Sequence, residues 1–292
     1  MKKINILIGI FLLSTCLFSK DRVITSIQPL YSLACYLTEN TGIEVYSIFG
    51  SDISMSISHE EIKRDDFKLD IAKESEAVID IAKIWEEDAI YGKARNSNIH
   101  IIEIDASHSY DDKMSTLFFN RYSNGKINPY IWTGSKNIIK MANIISEDLI
   151  RIYPRFKKQI NKNLVNFTNK VRKLEKDANY RILNCENIEV LSLSENLQYI
   201  LNDLNIYTEY ISYSSITKDS IQEILLKSNT KVIVSDRWIK KDVLKEIENM
   251  GGKFILLDTL DIPYDLDNKM DKDGLLKAYK NNVDKLIENL SK

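Results

Sequence analysis

An unbroken helical stripe over residues 153–179 constrains this chain more than any other stretch. Phe156, Ile160, Leu164, Phe167, Val171, Leu174 and Ala178 follow one another at steps of 4, 4, 3, 4, 3 and 4, a spacing that keeps them on one face of an α-helix. Lys157, Lys158, Asn161, Lys162, Asn166, Arg172, Glu175 and Asp177 fall on the other faces, which predicts a helix covered along one side and wet on the rest. Pro154 stands where a first-turn proline is tolerated, because its missing N–H would have no helical partner there. No glycine or further proline interrupts the run to Asp177. A helix of about 25 residues reaches roughly 37 Å, the width of a small domain. The periodicity alone would suit a solitary surface helix equally well. Strand-and-helix alternation on both sides of it points instead to a strut joining two similar lobes.

The 292 residues suffice for two lobes with cores of their own. Forty basic residues against 42 acidic ones leave a net charge of −2, which offers no general attraction to nucleic acid or anionic lipid. No nucleic-acid partner is expected, and the chain is expected to act as a monomer. Lys2 and Lys3 precede an apolar run over residues 4–13 and the small residues Ser14 and Thr15, the pattern of an export signal, here residues 1–19. That run is too short to persist as a membrane anchor, so the mature chain belongs in the periplasm or cell envelope. Two processing routes are open. Leu13-Ser14-Thr15-Cys16 resembles a bacterial lipoprotein box, with threonine where the box has Gly or Ala, and would end in a lipid on Cys16; cleavage after Ser19 would leave none. Cys35 and Cys185 lie on opposite sides of the strut and are expected to be two buried thiols, not a disulfide.

Residues 22–26, 43–49, 77–81 and 99–104 read as strands. Residues 30–38, 62–75, 84–91 and 135–150 read as helices, the last capped by Ser135, with loops over 51–58 and 107–126. Beyond the strut, strands 188–193, 207–211, 231–235 and 254–257 alternate with helices 195–204, 218–227 and 240–250; Gly251-Gly252 stops the third helix, and helix 273–290 closes the chain. The expected fold class is α/β: two lobes, each a mostly parallel sheet flanked by helices, spanning residues 20–152 and 180–292 around the linking helix 153–179. Ligands of such sheets bind beyond the carboxyl ends of the strands. Neither GxGxxG nor GxxxxGK occurs, and no GxSxG elbow, so a dinucleotide, a nucleotide phosphate and hydrolase chemistry lack support and no enzyme is expected.

The groups that follow the strands are residues 51–59, 128–132, Ser194, Glu195 and Asp258. Around them the chain resembles the substrate-binding proteins of bacterial zinc and manganese ABC transporters, whose two lobes are joined by one rigid helix. Ile24-Thr25-Ser26-Ile27-Gln28-Pro29-Leu30-Tyr31-Ser32-Leu33-Ala34 is similar to that family's opening strand and helix, and Asn128-Pro129-Tyr130-Ile131-Trp132 to its Asp-Pro-His-Val-Trp. Tyr153-Pro154 opens the strut, and Leu257-Asp258-Thr259-Leu260 resembles the Asp-Ser stretch that ends the last strand.

The resemblance implies a divalent metal ion, zinc or manganese, carried as cargo in the interlobe cleft and delivered to a membrane permease. Such receptors hold it with three histidines and an aspartate, or with two histidines, a glutamate and an aspartate. Carried over, the ligand positions become His59, Tyr130, Glu195 and Asp258. Each departs from the family pattern except Asp258. Ser58-His59-Glu60 sits in a lengthened loop, and a gapless alignment puts Ser54 in place of His59. Tyr130 replaces a histidine, and a phenol is a poor ligand unless the ion deprotonates it. The third position falls on Ser194, or on Glu195 with a shift of one; Glu195 could equally cap the following helix. His100 is expected to be structural. His108, beside Asp111 and Asp112, falls where zinc-type relatives carry a histidine-rich loop. One nitrogen with several carboxylate oxygens is a donor set suited to manganese, although zinc would also bind it. The alternative reading is a relative with a degenerate metal site, acting as an adhesin or as a receptor for another ligand.

Overall fold

Lys157–Ile182 forms one α-helix, entered through a 3-10 turn at Pro154–Phe156, in a computed structural model that describes residues 21–109, 116–267 and 269–290. The export signal with Cys16, and Asp111 and Asp112, lie outside the described residues. This strut is α5, preceded along the chain by β1 (Arg22–Thr25), α1 (Gln28–Thr38), β2 (Glu44–Ser47), α2 (Met55–Lys63), β3 (Ala77–Asp80), α3 (Ile90–Ser97), β4 (Ile102–Asp105) and α4 (Ser135–Ile152). Ile160, Phe167, Val171, Ala178 and Ile182 of α5 are buried, and Phe156, Leu164 and Leu174 pack half-buried beside them, the stripe that the spacing predicts. Asn163 is also buried there. Its Nδ2 donates to the carbonyl oxygens of Leu37 at 2.9 Å and Glu39 at 2.7 Å, closing carbonyls that the end of α1 leaves open.

Each lobe carries four parallel strands, the first in the order β2-β1-β3-β4. The second sheet uses β5 (Glu189–Ser192), β6 (Tyr207–Tyr210), β7 (Val232–Ser235) and β8 (Lys253–Leu256) in the order β6-β5-β7-β8. The two orders are the same pattern, and each reverses direction at its central pair, where crevices open at the strands' carboxyl ends. Helices α6 (Gln198–Asp203), α7 (Lys218–Lys227), α8 (Lys241–Asn249) and α9 (Gly274–Leu290), with a two-stranded hairpin of β9 (Asp265–Leu266) and β10 (Lys269–Met270), complete the second half.

Alternation along the strands sorts the core. Val23 of β1 and Val190 of β5 point into one continuous apolar body that also takes in Leu33 of α1, Ile145 of α4, Phe167 of α5 and Leu286 of α9. Their neighbours Ile24 and Leu191 face the opposite way, into smaller cores on the outer side of each sheet. Burying each such side chain contributes about 1.5–3 kcal/mol, so a core shared by both lobes resists their separation.

Several local expectations give way to distant contacts. The loop 51–58 and helix 62–75 are replaced by α2, which starts at Met55, and by a 3-10 turn at Asp70–Glu74. The start of α2 is set from the other end of the chain: Met55 N donates to the Asp261 carbonyl at 2.7 Å and Ser56 N to Asp261 Oδ1 at 3.2 Å. The helix expected at 84–91 begins only at Ile90, because Asp88 accepts the Ile81 amide at 3.2 Å and Asp105 the Lys83 amide at 2.7 Å, which holds the intervening segment in turns. Ser135 is the first residue of α4 and not its cap; Asp203 Oδ2 of α6 accepts its hydroxyl at 2.8 Å and the Lys136 amide at 3.2 Å. The helix expected at 195–204 splits into a 3-10 turn at Glu195–Leu197 and α6. Cys35 and Cys185 form no disulfide with each other and are half-buried where full burial was expected. No helix among the described residues is long and apolar enough to cross a membrane.

Candidate functional site

A cavity of about 590 Å³ lies beyond the strand ends, bounded by Met55 and His59 of α2, Trp85 and Glu87 of the segment after β3, and Tyr122 and Tyr130. Its walls are tied together by the Asn-Pro-Tyr-Ile-Trp motif. Buried Asn128 donates to the Glu195 carbonyl at 2.7 Å, Tyr199 donates to the Asn128 carbonyl at 2.8 Å, and Trp132 Nε1 donates to the Thr259 carbonyl at 2.8 Å. A second hollow of about 440 Å³, lined by Glu195, Tyr210, Tyr213 and Arg237, shares Tyr122 and Asn196 with the first.

His59 sits within α2, its ring edge-on to Trp85 at 6.3 Å between centroids. Its Nε2 lies 3.1 Å from Glu60 Oε1, while its buried Nδ1 has no hydrogen-bond partner among the described residues. Tyr130 lines the same cavity and stacks at 5.3 Å and 54° on Trp132. Burial pushes its phenol well above the ordinary value, and the Asp261 and Asp236 carboxylates push it the same way. Glu195 faces the second hollow, where its carboxylate accepts the Ser123 amide at 2.9 Å and the Ser123 hydroxyl at 3.2 Å. The cap at that point is Ser194, whose Oγ accepts the Asn196 amide at 3.2 Å. Asp258 is not among the residues lining either hollow. Its Oδ1 accepts the Leu260 amide at 2.7 Å and steadies Leu260 at φ +60, a left-handed conformation costly for a residue with a Cβ.

His59 and Tyr130 therefore line one cavity, whereas Glu195 lines the adjoining hollow and Asp258 lines neither. Among the described residues no three His, Cys, Asp or Glu side chains form a group able to hold a metal ion. Ser54 is the N-cap of α2, with its hydroxyl 2.9 Å from that of Ser56. His100 and His108 are exposed.

Two further carboxylates, absent from the motifs, border the site. Asp236 directly follows β7 and accepts the Asn196 amide group at 2.6 Å; Asn196 in turn accepts the Tyr122 hydroxyl at 2.7 Å. Asp261 follows Asp258 by three residues and caps α2; burial raises its carboxyl above the usual range while its bonds to Ser56 act against that. The strand-end rule that singles out Asp258 also reaches Asp236, which directly follows β7, but not Asp261, which lies five residues past the end of β8.

The sequence profile of the family described as zinc-uptake complex component A, periplasmic, matches residues 23–289. The chain belongs to this family. It is a family of solute receptors, not of enzymes. Among solved structures with the same fold is an FpvC mutant from Pseudomonas aeruginosa, at 16% identity over 92% of this chain and 98% of that one, with a TM-score of 0.72. A ZnuA deletion mutant with zinc bound shows 15% identity over 93% and 98%, TM-score 0.69. The metal-dependent lipoprotein YcdH from Bacillus subtilis shows 16% identity over 93% and 99%, TM-score 0.69. A search of curated protein sequences finds no match.

Proposed function

We propose that this protein is an extracytoplasmic receptor that takes a divalent metal ion, zinc or manganese, into the interlobe cleft and delivers it to an ABC permease. The observation that carries this reading is the state of His59. Its Nδ1 is buried without a hydrogen-bond partner in the wall of the cleft while Nε2 lies 3.1 Å from Glu60 Oε1, an arrangement that leaves one ring nitrogen for a metal with a carboxylate beside the other. Tyr130 stands across from it as a second donor only if the ion deprotonates the phenol. Glu195 and Asp258 complete the proposed set if their carboxylates leave Ser123 and Leu260 on loading, without closure of the lobes. The receptor works as a monomer in the periplasm, tethered through Cys16 or released after Ser19.

A second reading, a receptor that has left metal behind and serves as an adhesin or takes another ligand, draws on the lack of three converging donors among the described residues. One structural neighbour is a laminin-binding protein of Streptococcus pyogenes, at 17% identity. Calorimetric titration with Mn(II) and Zn(II) separates the two. On the metal reading the wild type binds, His59→Ala and Asp258→Ala each weaken binding at least tenfold, and Tyr130→His tightens zinc. Absence of binding in the wild type, with none restored by Tyr130→His, would leave the second reading standing.

A further inference from the structure

We infer that the cargo enters this cleft as a complex, the metal ion held largely by a small carboxylate-bearing organic molecule; this rests on the metal-receptor reading above. The cavity of about 590 Å³ is far larger than an ion needs. Six waters around an ion occupy roughly 180 Å³ at about 30 Å³ each, whereas small organic ligands occupy pockets of about 300–1,000 Å³. The protein's own donors are too few. His59 Nδ1 is free, but Glu195 is engaged by Ser123, Asp258 by Leu260 and Asp261 by Ser56. A divalent ion takes four or more ligands, so a cargo resting on one imidazole must bring the remainder.

The rim of the cavity fits such a cargo. Lys83, from the segment after β3, and Lys126, from the hairpin before the Asn-Pro-Tyr motif, both border it and are exposed, and no ion pair holds either ammonium among the described residues. Two ammonium groups repel a bare cation and attract carboxylates. Glu86 and Glu87 border the same space, so the wall carries both signs, as a complex with a cationic centre and an anionic rim requires. Trp85 and Tyr130 supply apolar faces for the organic part.

Calorimetric titration of the mature chain with Zn(II) and Mn(II), with citrate as the probe chelator, and with each premixed metal–citrate complex tests this. The complexes are expected to bind at least tenfold more tightly than either bare ion or citrate alone. Replacing both exposed lysines (Lys83→Ala with Lys126→Ala) is expected to cost the complex tenfold or more and to leave the bare ions unchanged. Bare ions that bind as tightly as their complexes overturn this inference and leave metal reception intact. Citrate alone binding as tightly as the complexes, or no binding of ion or complex, overturns both.

Discussion

Trp132 donates its indole N–H to the carbonyl oxygen of Thr259 at 2.8 Å, with both residues buried, and so fastens the first lobe to the last strand end of the second. Asn128 makes a parallel tie to Glu195, and Asp261 of the second lobe starts α2 of the first. With the strut and the shared core, these ties leave little room for hinge closure. Loading is therefore expected to change the radius of gyration by less than about 1 Å in small-angle scattering. A clear compaction on loading would show that the ties break.

Asp80 and Asp88 are buried near one another at the end of β3, with Asp105 and Glu103 facing Asp80 from β4. Burial first, then the neighbouring carboxylates, raises Asp80; burial also raises Asp88, against the Ser26 hydroxyl and Ile81 amide that it accepts. Asp80 Oδ2 has no acceptor or donor partner among the described residues, which suits a protonated group. The folded chain thus keeps protons that the unfolded chain releases near pH 4, so this contribution to stability is full below pH 4 and is lost as pH rises through the raised folded values. Asp80→Asn is expected to stabilise the protein by more than about 1 kcal/mol at pH 8 and to have little effect at pH 4. Melting temperatures at the two pH values decide it; an equal shift at both would remove titration as the cause.

Asn163 offers a test of the strut itself. Asn163→Leu is close in size but strips the buried carbonyl of Leu37 and the part-buried carbonyl of Glu39 of their donor, which is expected to cost about 1–3 kcal/mol. Urea unfolding should show a lower midpoint at an unchanged slope, and an unchanged midpoint would mean that the end of α1 finds other donors.

The strut, both sheets and the cleft's location were legible in the residues because they rest on local period. Steps of three and four mark α5, alternation marks the strands, and Lys218–Lys227 is a helix with the bounds expected of it. The placement of α2 was not legible, since nothing near Met55 announces that Asp261 will cap it; the same holds for Asp203 at Ser135, and for Asp88 and Asp105 turning residues 81–89 away from helix. The site divides along the same line. The residue types were set by the sequence, which led to the expectation of His59, Tyr130, Glu195 and Asp258 at loops facing a cleft; His59 lies instead within α2. Which of them share a cavity, and which spend their oxygens on Ser123 and Leu260, was decided only by tertiary structure, because a carboxylate's partner depends on which backbone amide the fold brings within 3 Å of it.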